Sequence, residues 1–309
     1  MNSLIKFEGK PIEKLIDVVS KAIGTIYEPR QIVRKAKAEA KAESIKAIEQ
    51  AKTNAIIEGD TEKAEYLDRI NNRLVNKETK RQKNIEGVVS TAGRILEAEK
   101  DVSNEPVNPD WTTRFFDIVQ DVSDDEMQLL WGQILAGEIK QPKSYSLRTL
   151  ELLRNMTKEE AELFRKVAQF TLKQGDVFLF SADGVLEKFG ISYSAIAKLI
   201  EIGLLQPGDF VHKNYSPHKM KDNLIGIIYG DLVIIINQKS AAQKISIPIR
   251  LLTTPGKELS RLISITPNVD YIKELASTIK REGVTVSYSK IIRIDENGSV
   301  QYSQPEIKL

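Results

Sequence analysis

The stretch from Gln31 to Ile57 contains neither proline nor glycine, and its segment Ala36-Lys37-Ala38-Glu39-Ala40-Lys41-Ala42-Glu43 is drawn from the strongest helix formers with alternating charge. A helix of about 27 residues is expected, reaching roughly 40 Å at 1.5 Å per residue. Its apolar residues are mostly alanine, with Ile32, Ile45, Ile48, Ile56 and Ile57 sparsely placed. Such a helix buries little surface alone and needs a partner. Glu58-Gly59-Asp60-Thr61 reads as a break, with Thr61 able to cap a second helix carrying Ala64, Leu67, Ile70, Leu74, Ile85, Val88, Val89, Ala92, Ile95 and Leu96. A helical hairpin or a multi-chain coiled coil satisfies both segments, although heptads are not sustained over three or four repeats.

Ahead of this arm, Ile12, Leu15, Ile16, Val19, Ile23 and Ile26 share one face of a helix expected over Pro11–Tyr27, and Glu28-Pro29-Arg30 ends it. That face meets the chain's own body, a sister subunit or a membrane surface, and Glu13 and Asp17 on the polar side weaken the membrane reading. Residues 102–110, rich in Asn, Pro and Ser, read as a linker. The expected organisation is an amphipathic helix plus helical arm over 1–101, the linker, a helical subdomain over 111–174, and an α+β domain over 175–309. The whole is an α+β chain with a long N-terminal coiled-coil-like arm.

Within the body, Trp111, Phe115, Phe116, Ile118 and Val119 open the first aromatic core. Ser123 with Glu126, and Thr157 with Glu160, read as capping boxes of two helices, the second running through Leu172. Val177–Phe180 reads as a short strand, and Ser192 caps a helix ending at Gly203-Leu204-Leu205, a pattern common in winged-helix-like folds. Leu224–Tyr229 and Leu232–Ile236 flank Gly230-Asp231, the strongest hairpin signal in the chain. A strand at Lys244–Ile249, helices from Thr254 and Asn268, and a final strand pair around Asp295-Glu296-Asn297-Gly298 complete the reading.

Catalytic chemistry finds little to hold. The absence of cysteine removes disulfides, thiolate metal sites and cysteine nucleophiles. The two histidines, His212 and His218, fall in a stretch read as a polar loop, without helical spacing or a third metal ligand. No Gly-x-Ser-x-Gly elbow or Gly-x-Gly-x-x-Gly turn occurs, Thr254-Pro255-Gly256-Lys257 lacks the remainder of a P-loop, and Asp124, Asp125 and Glu126 read as helix-start carboxylates. No catalytic residue, cofactor or metal is expected, and the chain reads as a non-enzyme.

The formal charge of +2 requires any basic surface to come from segregation along the chain. Arg30, Arg34 and Lys35, then Lys80 and Arg81, and Lys198 on the Ser192-capped helix are the candidate nucleic-acid contacts. That helix carries no arginine, so base readout is poor and nucleic acid is the weaker partner. With neither a secretory leader nor a membrane-length apolar run, the chain is expected in the cytoplasm, free or peripheral at the inner membrane.

Several segments resemble bacterial proteins of the abortive-infection alpha-like kind. They are Gly24-Thr25-Ile26-Tyr27-Glu28-Pro29 leading into the Ala/Lys/Glu arm, Asp125-Glu126-Met127-Gln128-Leu129-Leu130-Trp131, Leu135-Ala136, Ile200-Glu201-Ile202-Gly203-Leu204-Leu205, and Leu252-Thr253-Thr254-Pro255-Gly256-Lys257-Glu258-Leu259. The resemblance implies a role in defence against phage and supplies no active-site residue. The arm is also similar to those of membrane-associated ring-forming scaffold proteins. The expectation is a homo-oligomeric interaction protein that meets a phage or host protein. The alternative is a winged-helix-like nucleic-acid-binding regulator.

Overall fold

The computed structural model describes residues 9–23, 26–28, 31–33, 37–208, 211–215, 224–238, 244–295 and 297–309, with side chains described outside 24–45. The chain divides into two compact units, Met1–Leu150 and Glu151–Leu309. The first is helical and the second is built on an antiparallel sheet, so the class is α+β.

Helix α1 (Lys10–Ile23) is shorter than its apolar pattern suggests. Ile26, expected on its face, lies in strand β1 (Ile26–Glu28), and Ile32, expected at the start of the long helix, lies in β2 (Gln31–Val33). The two strands pair antiparallel, Ile26 with Val33 and Glu28 with Gln31. β-Branched and aromatic residues on either side of positions 29 and 30 favour this hairpin over a proline-broken helix. The arm helix α2 therefore starts later, at Lys37, and runs to Ile57.

Gly59 takes a left-handed φ of 76°, and Asp60 rather than Thr61 is the cap, its side chain accepting from Lys63 N at 3.0 Å. Helix α3 (Thr61–Glu97) then runs 37 residues without a break. Its first half lies against α2, while Ile85, Val88, Val89, Ala92 and Leu96 are buried against α1, α4 (Pro109–Val119) and α5 (Asp125–Lys140). The second arm helix is thus also the central helix of the first unit.

Residues 102–110 are packed into that unit: Val102 and Val107 are buried, and Ser103 N donates to Lys140 O at 3.0 Å. The core is aromatic, with Trp111 stacked on Phe115 at 4.9 Å and Trp131 edge-on to Phe115 at 5.5 Å. Asp124, not Ser123, caps α5, accepting from Glu126 N and Met127 N, while Ser123 Oγ accepts from Asn84 Nδ2. A carboxylate in this position also answers the positive end of the helix dipole.

Helix α6 (Leu147–Arg154) carries the chain into the second unit. The capping box at Thr157 and Glu160 is formed, and α7 (Lys158–Ala168) follows. Leu172, expected to continue this helix, instead begins the sheet in β3 (Thr171–Gln174), which turns at Gly175, φ 69°, into β4 (Asp176–Phe180). Short α8 (Val185–Lys188) and α9 (Tyr193–Ile202) precede β5 (Val211–Tyr215). The strand run continues with β6 (Leu224–Tyr229), β7 (Leu232–Gln238) and β8 (Ile245–Leu251). Helices α10 (Thr254–Ser260) and α11 (Val269–Ile279) lead to β9 (Val284–Ile294), β10 (Val300–Tyr302) and β11 (Ile307–Lys308).

The nine-stranded sheet has the order β10-β9-β7-β6-β3-β4-β8-β5, with β11 also on β9. The hairpin around Gly230-Asp231 forms with Tyr229 opposite Leu232. Tyr271 of α11 is buried among Phe170, Phe180, Phe189 and Tyr229, and its hydroxyl donates to Phe180 O at 2.9 Å. That bond satisfies a phenol that would otherwise be stranded in an apolar core.

Candidate interaction surface

The residues singled out from the sequence fall into three places. On α1, Ile12, Leu15 and Val19 are buried and Ile16 and Ile23 half-buried, in contact with α3, α4 and α5 of the same unit. Each buried aliphatic side chain contributes about 1.5–3 kcal/mol there. The apolar face is occupied by the protein's own core, and the side chain of Ile26 lies outside the described residues. No described helix is long and apolar enough to cross a membrane.

The basic residues do not converge. Arg81 donates Nε and Nη2 to the two carboxylate oxygens of Asp121 at 2.9 and 3.1 Å, a fork that fixes α3 to the end of α4. Lys198 lies 3.4 Å from Glu160 and 3.5 Å from Glu201, and its hydrogen bond to Glu160 holds its ammonium above the ordinary lysine value. Lys80 is exposed and forms no ion pair among the described residues. Arg30, Arg34 and Lys35 lie outside the described residues or side chains, as does His218. His212, expected in a loop, is on β5 opposite Pro248.

The third place is the helical hairpin. Lys52 Nζ donates to Asp68 Oδ1 at 2.5 Å and Asn71 Nδ2 to Glu49 Oε1 at 2.7 Å, pairs that run in opposite senses along the two helices and so fix α2 and α3 antiparallel. The Lys52 hydrogen bond holds the Asp68 carboxyl below its usual range. Between Lys46 and Lys83 only Ala55 and Ala64 are fully buried. Leu67, Ile70 and Leu74 remain half-exposed, Ile56 and Ile57 are 59% and 78% exposed, and Tyr66 is 57% exposed. A shallow groove of about 510 Å³ runs along this tip, lined by Lys52, Ile56, Ala64, Glu65, Asp68 and Arg69. Both charge signs and an apolar strip therefore sit on one exposed surface.

Two segments 50 residues apart in sequence meet in the second unit. Ser192 Oγ accepts from Ala195 N to start α9, and Gly203, φ 90°, ends it in the left-handed conformation. The carbonyls of Gly203 and Leu204 then accept from Thr253 Oγ1 at 2.6 and 3.2 Å, and Leu204 O also accepts from Thr253 N at 3.0 Å. Thr253 simultaneously caps α10 by accepting from Gly256 N. Gly256 is there because a Cβ would stand 2.1 Å from Leu204 O. The Gly-Leu-Leu and Leu-Thr-Thr-Pro-Gly segments are one structural joint.

A polar cluster that sequence reading missed lies beside it. Lys257 Nζ donates to Asp176 Oδ2 at 2.9 Å, and Lys213 Nζ donates to Gln174 O at 2.6 Å while lying 4.9 Å from the centre of the Phe178 ring. Burial alone would raise the Asp176 carboxyl, but the Lys257 ammonium, the Val177 N–H and the Lys213 charge hold it below the ordinary aspartate range. Burial lowers Lys213 against the pull of Asp176. These groups satisfy one another, tying the β3–β4 turn to β5 and α10. Among the described residues no group of three His, Cys, Asp or Glu side chains is placed to hold a metal ion.

The fold and its surfaces define an α+β protein with a two-helix hairpin in its helical unit and a sheet unit locked by side-chain caps. The chain belongs to the family described as "Protein of unknown function (DUF2806)", whose model matches residues 68–276, more than half of its length. No curated protein and no solved structure matches it.

Proposed function

We propose that the protein is a self-assembling interaction protein in which the α2–α3 hairpin joins two copies. The observation that carries this reading is the hairpin itself, two helices deep, with only Ala55 and Ala64 fully buried between Lys46 and Lys83 and Ile56, Ile57 and Tyr66 facing solvent. Most helical stability in a protein comes from packing an apolar face, and this stretch packs little of one on its own. The groove beside Ile56 is rimmed by the internal ion pairs Lys52–Asp68 and Arg69–Glu65, so a two-fold related copy meets a charge-balanced rim around the apolar strip with the same patch, as an isologous interface requires.

The resemblance to abortive-infection alpha-like proteins supports a defence role for such an assembly. The segments that carry it serve packing and capping, so they add no chemistry to the reading. Analytical ultracentrifugation of the full chain tests it. A concentration-dependent dimer is expected, shifted to monomer by Ile57→Glu with Tyr66→Glu while far-UV circular dichroism is unchanged. A monomer at every concentration, or a dimer indifferent to both substitutions, refutes the reading.

A further inference from the structure

The second unit contains a cavity of about 480 Å³, within the range of small-molecule sites. It arises where strands part. β4 runs beside β8 as far as Phe180 opposite Ile249, and Ser181 N still donates to Pro248 O at 3.0 Å. The chain then leaves the sheet through Gly184, φ 69°, into α8, while β5 joins the other side of β8 with Val211 opposite Ile249. The N-terminal turn of α9 closes the third side.

The lining is divided by chemistry. Leu186, Ile196 and Ile249 form an apolar floor. Arg250, only 9% exposed, sets a permanent positive charge in one wall and donates Nη1 to Gly208 O at 3.1 Å. Asp183, Glu187 and, from β5, His212 complete the polar lining; Asp183 and Glu187 are exposed, and neither forms an ion pair among the described residues. Tyr193, at the first position of α9, lines the same cavity and is 72% exposed. An aromatic ring and two carboxylates in one cavity attract an organic cation, and a guanidinium favours a carboxylate through its planar fork. The two carboxylates repel phosphates.

We propose that this cavity binds a small amino-carboxylate whose cationic head and carboxylate are separated by an apolar stem, the chemistry of free lysine and arginine. The carboxylate lies toward Arg250, the stem runs over Leu186, Ile196 and Ile249, and the head sits between Asp183, Glu187 and the Tyr193 ring. The assignment is independent of the hairpin reading, since every residue it uses lies in the second unit.

Isothermal titration of the full chain with L-lysine, L-arginine, norleucine, cadaverine, L-glutamate and AMP tests it. Saturable binding of lysine or arginine is expected. Norleucine, which lacks the cationic head, and cadaverine, which lacks the carboxylate, should each bind at least about tenfold more weakly. Asp183→Asn with Glu187→Gln should weaken binding about tenfold, and Tyr193→Ala about threefold. All three rim side chains are exposed, so these variants keep the fold. Absence of saturable lysine and arginine binding at millimolar concentration overturns the proposal. So does binding unaltered by the rim substitutions, or a preference for glutamate or AMP.

Discussion

Gly256→Ala is the most demanding test of how the second unit is held together. The residue is the third of α10 and has ordinary helical backbone, so alanine there gains up to about 1 kcal/mol in helix propensity. Against that gain, the new Cβ would stand 2.1 Å from Leu204 O, 3.1 Å from Leu204 C and 3.3 Å from Leu252 Cβ. The nearest obstacle is backbone, so relief requires the carbonyl to retreat by at least about 1.3 Å to reach ordinary contact. That carbonyl accepts from Thr253 N at 3.0 Å and from Thr253 Oγ1 at 3.2 Å, and a displacement of this size breaks both bonds. Overpacking costs about 1–3 kcal/mol and each lost hydrogen bond about 1 kcal/mol. The net destabilisation is about 2–4 kcal/mol.

Both tryptophans, Trp111 and Trp131, lie in the first unit, so indole fluorescence does not report on this site. Amide exchange followed by mass spectrometry does. Protection of the slowest amides in β7, β8 and α11 should fall roughly 30- to 900-fold, at 1.36 kcal/mol per decade. Gly226→Ala is the control, because its Cβ would meet Val233 Cγ2 at an ordinary 3.7 Å, and its effect should stay below a tenth of that. Exchange in Gly256→Ala indistinguishable from wild type would refute the close-contact argument.

Two further outcomes follow from polar groups. Lys14 donates Nζ to the carbonyls of Ser103, Glu105 and Ile139 at 2.8, 2.8 and 3.0 Å, so Lys14→Met keeps the stem but strands three acceptors and should cost about 2 kcal/mol, read as an earlier urea midpoint by tryptophan fluorescence. Asp176 has a folded pKa below its ordinary 3.8, so its stabilising contribution is complete above pH 3.8 and is lost as pH falls through the folded value; Asp176→Asn should remove under about 1 kcal/mol at neutral pH and flatten that acid limb, and an unchanged limb would contradict the pairing with Lys257.

Elements whose apolar period coincides with a local stop or start signal were legible in the sequence. The α9 helix has Ser192 before it and Gly203 after it, α7 has its capping box, and β6 and β7 flank a Gly-Asp turn. Where two local signals competed, the sequence misled. Leu172 continues the helical spacing of Phe164, Val167 and Ala168, yet Phe170-Thr171 and the Gly175 turn favour strand pairing with β4. Glu28-Pro29-Arg30 reads as a helix stop, and the pairing of Ile26 with Val33 shows a strand there instead of the last turn of the helix. For α1 the amphipathic face was evident, but its occupant depends on α3, α4 and α5, whose contacts are remote in sequence. The cavity was illegible for the same reason: Asp183, Tyr193 and Arg250 belong to three segments joined only by the sheet.

The span shared with the family sharpens how the two proposed properties relate. It starts at residue 68, inside α3, and ends at residue 276, before the end of α11. Neither limit is a folding boundary, because α1 supplies four buried aliphatic side chains from before it and β9 pairs with seven residues of β7 from beyond it. The cavity lies wholly inside the shared span, so its geometry is set by elements common to the family model and this chain. The hairpin is divided by the limit, with α2 outside and most of its stretch of α3 within. Lysine or arginine recognition would therefore belong to the shared span, whereas the proposed self-association would require residues such as Ile57 and Tyr66 that precede it. The two properties can be lost separately.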